Sequence, residues 1–257
     1  FDDLTAENRS LLQKPMTYNL WRAPTDNDRN VVNQWREAGY DRTIARAYRT
    51  QTAQENGTVV IRTTLSIGAM YLQRLLDLET EWRVDAAGQI TCAIQVHKNP
   101  RLPFLPRFGV RLFLPRELQR VSYFGYGPYE SYVDKHRASW LGRFESTVEA
   151  QHEDYIKPQE NGSHWGCEWV CLDGPSGGLK AFAVTEPFSF NASPYTQETL
   201  TACGHNYELE PCGDTVLCLD YRQSGIGSNS CGPELMEKYR LDEPQFTFRF
   251  VLCPFSR

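Results

Sequence analysis

The sequence predicts an all-β protein built as two large packed antiparallel sheets, and three observations carry that prediction. Apolar residues recur at every second position through long stretches, Gly and Pro clusters separate those stretches, and almost nothing follows the 3.6-residue period of a helix. The clearest stretch places Val59, Ile61, Thr63, Leu65 and Ile67 on one face, with Arg62, Thr64 and Ser66 opposite. Leu76, Leu78, Thr80, Trp82 and Val84 repeat the pattern against Asp77, Glu79, Glu81 and Arg83. After the turn Asp85-Ala86-Ala87-Gly88 it resumes as Ile90, Cys92, Ile94 and Val96. These segments are predicted as three consecutive antiparallel strands with one wet face. Further strands are predicted over 108–114, 165–171, 179–185, 216–222 and 246–252. One short helix is predicted over 31–38, with Asn30 as its N-cap and Gly39 ending it at positive φ. Strands and helices do not alternate, which argues against a barrel of parallel strands. No repeat or linker divides the chain, so residues 1–257 read as a single domain.

Composition narrows the function. Hydrophobic residues make up 40% and charged residues 23% of 257, the balance of a folded soluble domain. A net charge of -5 repels polyanions, so no nucleic-acid partner is expected. No apolar run approaches the roughly 18 residues of a membrane span, so no membrane partner is expected. The chain opens on Phe1-Asp2-Asp3 instead of Met and reads as a piece of a longer protein, which leaves its compartment open. Eight cysteines are present without a CxxC pair. Cys167 and Cys171, on one predicted strand, would lie about 13 Å apart, so no structural zinc is expected.

Local motifs give no catalytic set. Glycoside hydrolysis needs a pair of carboxylates, and no spacing selects one. Glu130, Glu160 and Glu186 sit beside Gly or Pro and read as solvated loop acids. Asp26, Asp28, Asn30 and Glu37 fall at calcium-loop positions, but Val31 stands where the turn needs Gly, so loop and cap roles fit better. Gly225-Ile226-Gly227 matches the start of a dinucleotide loop without the third Gly, and a strand-to-loop turn is the better reading. Cys231 with His205 as its base would make a thiol nucleophile, yet nothing in the sequence brings the two together. The histidines show no metal-ligand spacing. Tyr123, Phe124, Tyr126, Tyr129 and Tyr132, followed by Trp140 and Trp165, suit either a sugar-stacking surface or a large sandwich core, and the core reading is favoured.

Longer motifs say more. Leu20-Trp21-Arg22-Ala23-Pro24-Thr25-Asp26-Asn27-Asp28 resembles the WRAPTDND signature that opens the last domain of family 2 β-galactosidases. Phe124-Gly125-Tyr126-Gly127-Pro128-Tyr129-Glu130-Ser131-Tyr132, then Asp134, resembles that domain's GxGPxExYxDR stretch, with Lys135 in place of Arg. Pro158-Gln159-Glu160-Asn161-Gly162 resembles PxENG, and Phe190-Asn191-Ala192-Ser193 with Tyr195 resembles FNxSxY. Gly225-Ile226-Gly227 resembles the turn before the final loop. The motifs follow the family's order across most of the chain.

The resemblance implies a super-sandwich of two large antiparallel sheets, galactose mutarotase-like, with no catalytic residue of its own. It implies that a separate barrel domain carries both catalytic glutamates and a magnesium ion, and that this domain binds that barrel and lends loops to a pocket for a β-galactoside. The parent is expected to be a homo-oligomer. Asn229, Ser230 and Cys231 are implied as substrate-binding residues, on a loop one residue shorter than in well-known members. Cys231 falls nearest the position of a stacking Trp there. Gly39 and Tyr40 are implied to begin a mobile loop, 40–47, beside the active site. Two other functions share the fold or the surface chemistry. A stand-alone aldose mutarotase would need a Glu base and His acids in one cleft, and a carbohydrate-binding module would need neither.

Overall fold

A computed structural model describes residues 1–6 and 9–256. Within them the strands run β1 Thr5–Ala6, β2 Arg9–Ser10, β3 Lys14–Asn19, β4 Ile44–Glu55, β5 Thr58–Gly68, β6 Arg74–Val84, β7 Ile90–Lys98 and β8 Arg107–Pro115. They continue as β9 Arg120–Gly127, β10 Trp140–Thr147, β11 Ser163–Cys167, β12 Trp169–Gly174, β13 Gly177–Ala183, β14 Phe188–Ser193, β15 Asp214–Gln223 and β16 Gln245–Ser256. Two short α-helices, α1 Val32–Ala38 and α2 Gln197–Ala202, sit in the connections. Nine strands form one sheet in the order β10-β9-β12-β13-β16-β7-β6-β5-β4, five form a second in the order β11-β14-β15-β8-β3, and β1 pairs β2 alone. Every pairing is antiparallel.

The predicted two-sheet architecture holds, and its alternation explains why. Along β7 every second residue from Ile90 to Lys98 is buried, and β6 alternates from Leu76 to Trp82. Those faces meet the five-stranded sheet across one continuous core. Phe108 of β8 packs edge-on against Phe246 of β16 with centroids 5.2 Å apart, and Phe190 of β14 meets Tyr123 of β9 at 5.1 Å. Each large side chain taken out of water here contributes about 1.5–3 kcal/mol.

Two predicted elements need correction. The single strand over 165–171 is two strands of different sheets, β11 and β12, broken at Glu168. Gly166, at φ +66°, lies within β11 where its register with β14 shifts, and Cys167 and Cys171 fall on different strands. Asn30 is not the cap of α1: the capping position is Val31, with helical dihedrals and no side-chain cap. Gly39 does end the helix at φ +85°. The nine-stranded sheet overhangs its partner, and β4 is exposed along nearly its whole length. No helix among the described residues is long and apolar enough to cross a membrane.

Candidate functional site: a loop cluster tied by buried ion pairs

The motif segments, far apart in sequence, meet at one end of the sandwich, and buried charges join them. Arg22 is fully buried and grips Asp28 with two hydrogen bonds, Nε to Oδ2 at 3.1 Å and Nη2 to Oδ1 at 2.7 Å. Its remaining donors reach the carbonyls of Ser224 and Gly225, the latter at 3.1 Å. Asp28 also accepts from the Thr25 amide at 3.0 Å, so it serves the turn and not a calcium ion. Arg107, at the head of β8, donates two hydrogen bonds to Asp220 of β15 and one to Glu160. The other Glu160 oxygen accepts from the Ala23 amide at 3.1 Å, and the Glu160 amide donates to the Ala23 carbonyl at 2.9 Å. One guanidinium thus serves two carboxylates out of water. Burial pushes the Asp220 carboxyl up to about 6 despite the neighbouring Arg107.

Glu130 and Glu160 are therefore not solvated loop acids. Glu160 is 1% exposed, and Glu130 accepts from Lys135 Nζ at 2.6 Å, the Tyr155 hydroxyl at 2.7 Å and the Gly162 amide at 3.1 Å. Only Glu186 of the three is solvent-facing, 61% exposed beside Arg222. Sequence reasoning missed Arg107 and Asp220 altogether. The available signal was a charge set against an apolar run, Arg107 before Phe108 and Asp220 after Val216-Leu217-Cys218-Leu219, since charge is buried only when paired. Asn191 of β14 completes the set by donating to the Asn161 carbonyl at 2.6 Å.

The last loop is held from two sides. Asp134 accepts the amides of Ile226 at 3.0 Å and Gly227 at 2.8 Å, while Asn27 donates to the Ile226 carbonyl. Gly225 leaves room for this approach, because a Cβ there would crowd the Asp134 carboxylate. Asn30 spends its side chain on the Asn229 carbonyl at 2.9 Å, and Asn229 itself takes φ +85°. Ser230 is half-buried beyond it, and Cys231 is exposed with a free thiol. Beneath this loop Thr25, Asp26, Asn27, Asp134, Lys135 and Tyr155 line a polar cleft of about 470 Å³.

Other predicted site residues fall elsewhere in role. Tyr40 is 1% exposed and its hydroxyl donates to the Pro103 carbonyl at 2.6 Å. Residues 44–47 are paired with β5 as the start of β4. His205 binds Glu208 at 3.2 Å and not Cys231. The aromatic stretch divides: Tyr123 and Tyr132 are buried, whereas Tyr129 and Trp140 are more than half exposed. Among the described residues, no cluster of three or more His, Cys, Asp or Glu is arranged to hold a metal ion.

Fold and loop cluster together define a β-sandwich whose acidic motif residues tie its loops to one another. Residues 1–252 match the β-galactosidase small chain family, and the chain belongs to it. It is 46% identical over 252 residues to the β-galactosidase of Actinobacillus pleuropneumoniae, covering 98% of this chain and 25% of that protein. It is 38% identical to the β-galactosidase of Staphylococcus xylosus, again over 98% of this chain and 25% of that protein. The chain therefore spans about a quarter of the length of the curated relatives it matches. Among solved structures it is similar to galactose 1-epimerase from Lactobacillus acidophilus NCFM, with a TM-score of 0.47, 9% identity, and coverage of 80% of this chain and 66% of that one.

Proposed function

We propose that this chain is the non-catalytic carboxy-terminal domain of a retaining β-galactosidase that hydrolyses terminal β-D-galactosides such as lactose. Its loop cluster completes the wall of the sugar pocket, with Asn229, Ser230 and Cys231 facing the substrate. One observation carries the reading. Arg22 and Asp134 clamp 224–227 from opposite sides, so the following residues are presented outward instead of packing into the core. The carboxylates that could do chemistry are spent on these ties, so both reacting glutamates and the magnesium ion belong to the barrel domain of the parent. Among the described residues, no group of three or more His, Cys, Asp or Glu is arranged to hold a metal, which supports placing the magnesium outside this chain. The role left to the loops is to shape the pocket and exclude water. Cys231 offers a small polarizable surface and no ring, so this loop holds the leaving-group sugar little by stacking.

The test is a chromogenic β-galactoside assay on the purified chain at high concentration, with anomer exchange of galactose followed by NMR in the same samples. No turnover and no catalysed exchange are expected. Hydrolysis abolished by substituting a carboxylate of this chain would overturn the reading, and catalysed exchange would favour a mutarotase.

A further inference from the structure

The overhang of the nine-stranded sheet leaves a trough beside β3. β3 ends the five-stranded sheet, with β8 as its only strand partner among the described residues. β4 and β5 extend past it, so Ala47 is exposed on the face turned toward the sandwich, while Ile61 and Thr63 are half-buried. These three, with Met16 and Tyr18 of β3 and Trp82 of β6, line a trough of about 610 Å³. We propose that the segment preceding Phe1 in the longer protein lies in this trough in β conformation, beside the β3 edge and over the inner face of β5 and β4. This rests on the carboxy-terminal position proposed above.

The chain is already seated there at its first residue. The Met16 amide donates to the Phe1 carbonyl at 3.0 Å, so Phe1 stands beside β3 where a neighbouring strand would run, and its ring stacks on Trp82 with centroids 4.9 Å apart. Backbone joined to the Phe1 nitrogen therefore starts inside the trough. This chain covers only 25% of its curated relatives, and a protein of that length supplies such a segment. The surfaces also suit a strand. A sheet edge leaves every second N–H and C=O of its outer strand without a ladder partner, and an added strand satisfies them through main-chain hydrogen bonds. The floor is small or β-branched at Ala47, Ile61 and Thr63, which leaves room for a strand at about the 10 Å spacing of packed sheets. Asp2 is the one charged residue among those lining the trough, because the β5 charge faces away: Arg62 pairs with Glu55 at 3.0 Å and Glu81 at 2.7 Å on the opposite side. The face of the segment turned to the floor is therefore expected to be apolar. A second copy is disfavoured as the occupant. Its contact would be the β4 edge, where a bulge between Ala47 and Arg49 and the exposed Arg46 and Arg49 interrupt regular pairing.

Two probes at Ala47 in the full-length protein that contains this chain test the proposal. In the first, Ala47→Cys is compared with Gln51→Cys, both at exposed positions of β4. Alkylation followed by peptide mass spectrometry should be about tenfold or more slower for Ala47→Cys, since the covering segment must open before reagent enters. In the second, Ala47→p-benzoylphenylalanine is photo-activated. Its cross-links should map to a peptide within roughly twenty residues before Phe1, the length of two ordinary strands and a turn. Circular dichroism confirms that each variant is folded. Equal alkylation at both positions, no cross-link, or cross-links only to another part of the protein or to a second copy would overturn the proposal and leave the carboxy-terminal reading intact. A protein with nothing before Phe1 would overturn both.

Discussion

His164 is placed where a proton is unwelcome. It is 2% exposed, lying 4.3 Å from the Tyr123 ring and 5.1 Å from Phe190, with Nδ1 3.2 Å from the Tyr126 carbonyl. Burial pushes its pKa down to about 4, against about 6.5 in an unfolded chain. Between those values the unfolded chain binds the proton and the folded chain does not. This contribution is therefore complete above about pH 6.5 and is lost as the pH falls toward 4, on the order of 3 kcal/mol in all. Urea midpoints across that range should fall for the wild type and fall less for His164→Gln. Parallel curves would contradict the assignment. Glu160 makes the complementary case for a buried charge that must stay paired. Glu160→Gln should cost about 3 kcal/mol, because Arg107 and the Ala23 amide both lose a charged partner. Glu186→Gln on the exposed surface should stay within about 0.5 kcal/mol in the same denaturation series.

At the scale of elements, α1 shows how a short helix can be rigid. Trp35 is fully buried and its indole N–H donates to the Phe104 carbonyl at 2.9 Å. Gly39 closes the helix at φ +85°, and an added Cβ would meet the Ala69 Cβ at 2.5 Å. Gly39→Ala should therefore destabilise by about 2 kcal/mol from the left-handed backbone plus the clash, read as a lower melting temperature. An unchanged melting temperature would show that the turn relaxes freely. Strands β6 and β7 were legible in sequence because one face is buried and the other wetter, so the period of two survives. β4 was not, since an exposed edge strand needs no apolar alternation. The break at Glu168 was hidden for the opposite reason: apolar residues continue on both sides while the chain changes sheets. The burial of Glu130 was equally hidden, because its partners Lys135, Tyr155 and Gly162 lie up to 32 residues away and only the fold assembles them. What located the loop cluster was the order of long motifs; residue spacing alone left the acids looking solvated.

The whole molecule is an asymmetric sandwich, nine strands over five, with the Arg22 and Arg107 ion pairs tying its motif loops together. That division assigns rigidity to the sheets and presentation to the loops. Under the proposed function, the charge network acts on the sugar only through the loop it holds, so Asp134 is a positioning residue and Cys231 a marginal contact. Steady-state hydrolysis of lactose by the full-length protein that contains this chain tests that division most directly. Asp134→Ala releases the Ile226 and Gly227 amides and should lower kcat/KM about tenfold or more through misplacement of the loop, with the global fold intact by circular dichroism. Cys231→Ala should leave KM within about twofold, since a thiol contributes little contact surface. Unchanged kcat/KM in folded Asp134→Ala protein, or a large loss of turnover in Cys231→Ala, would contradict the account.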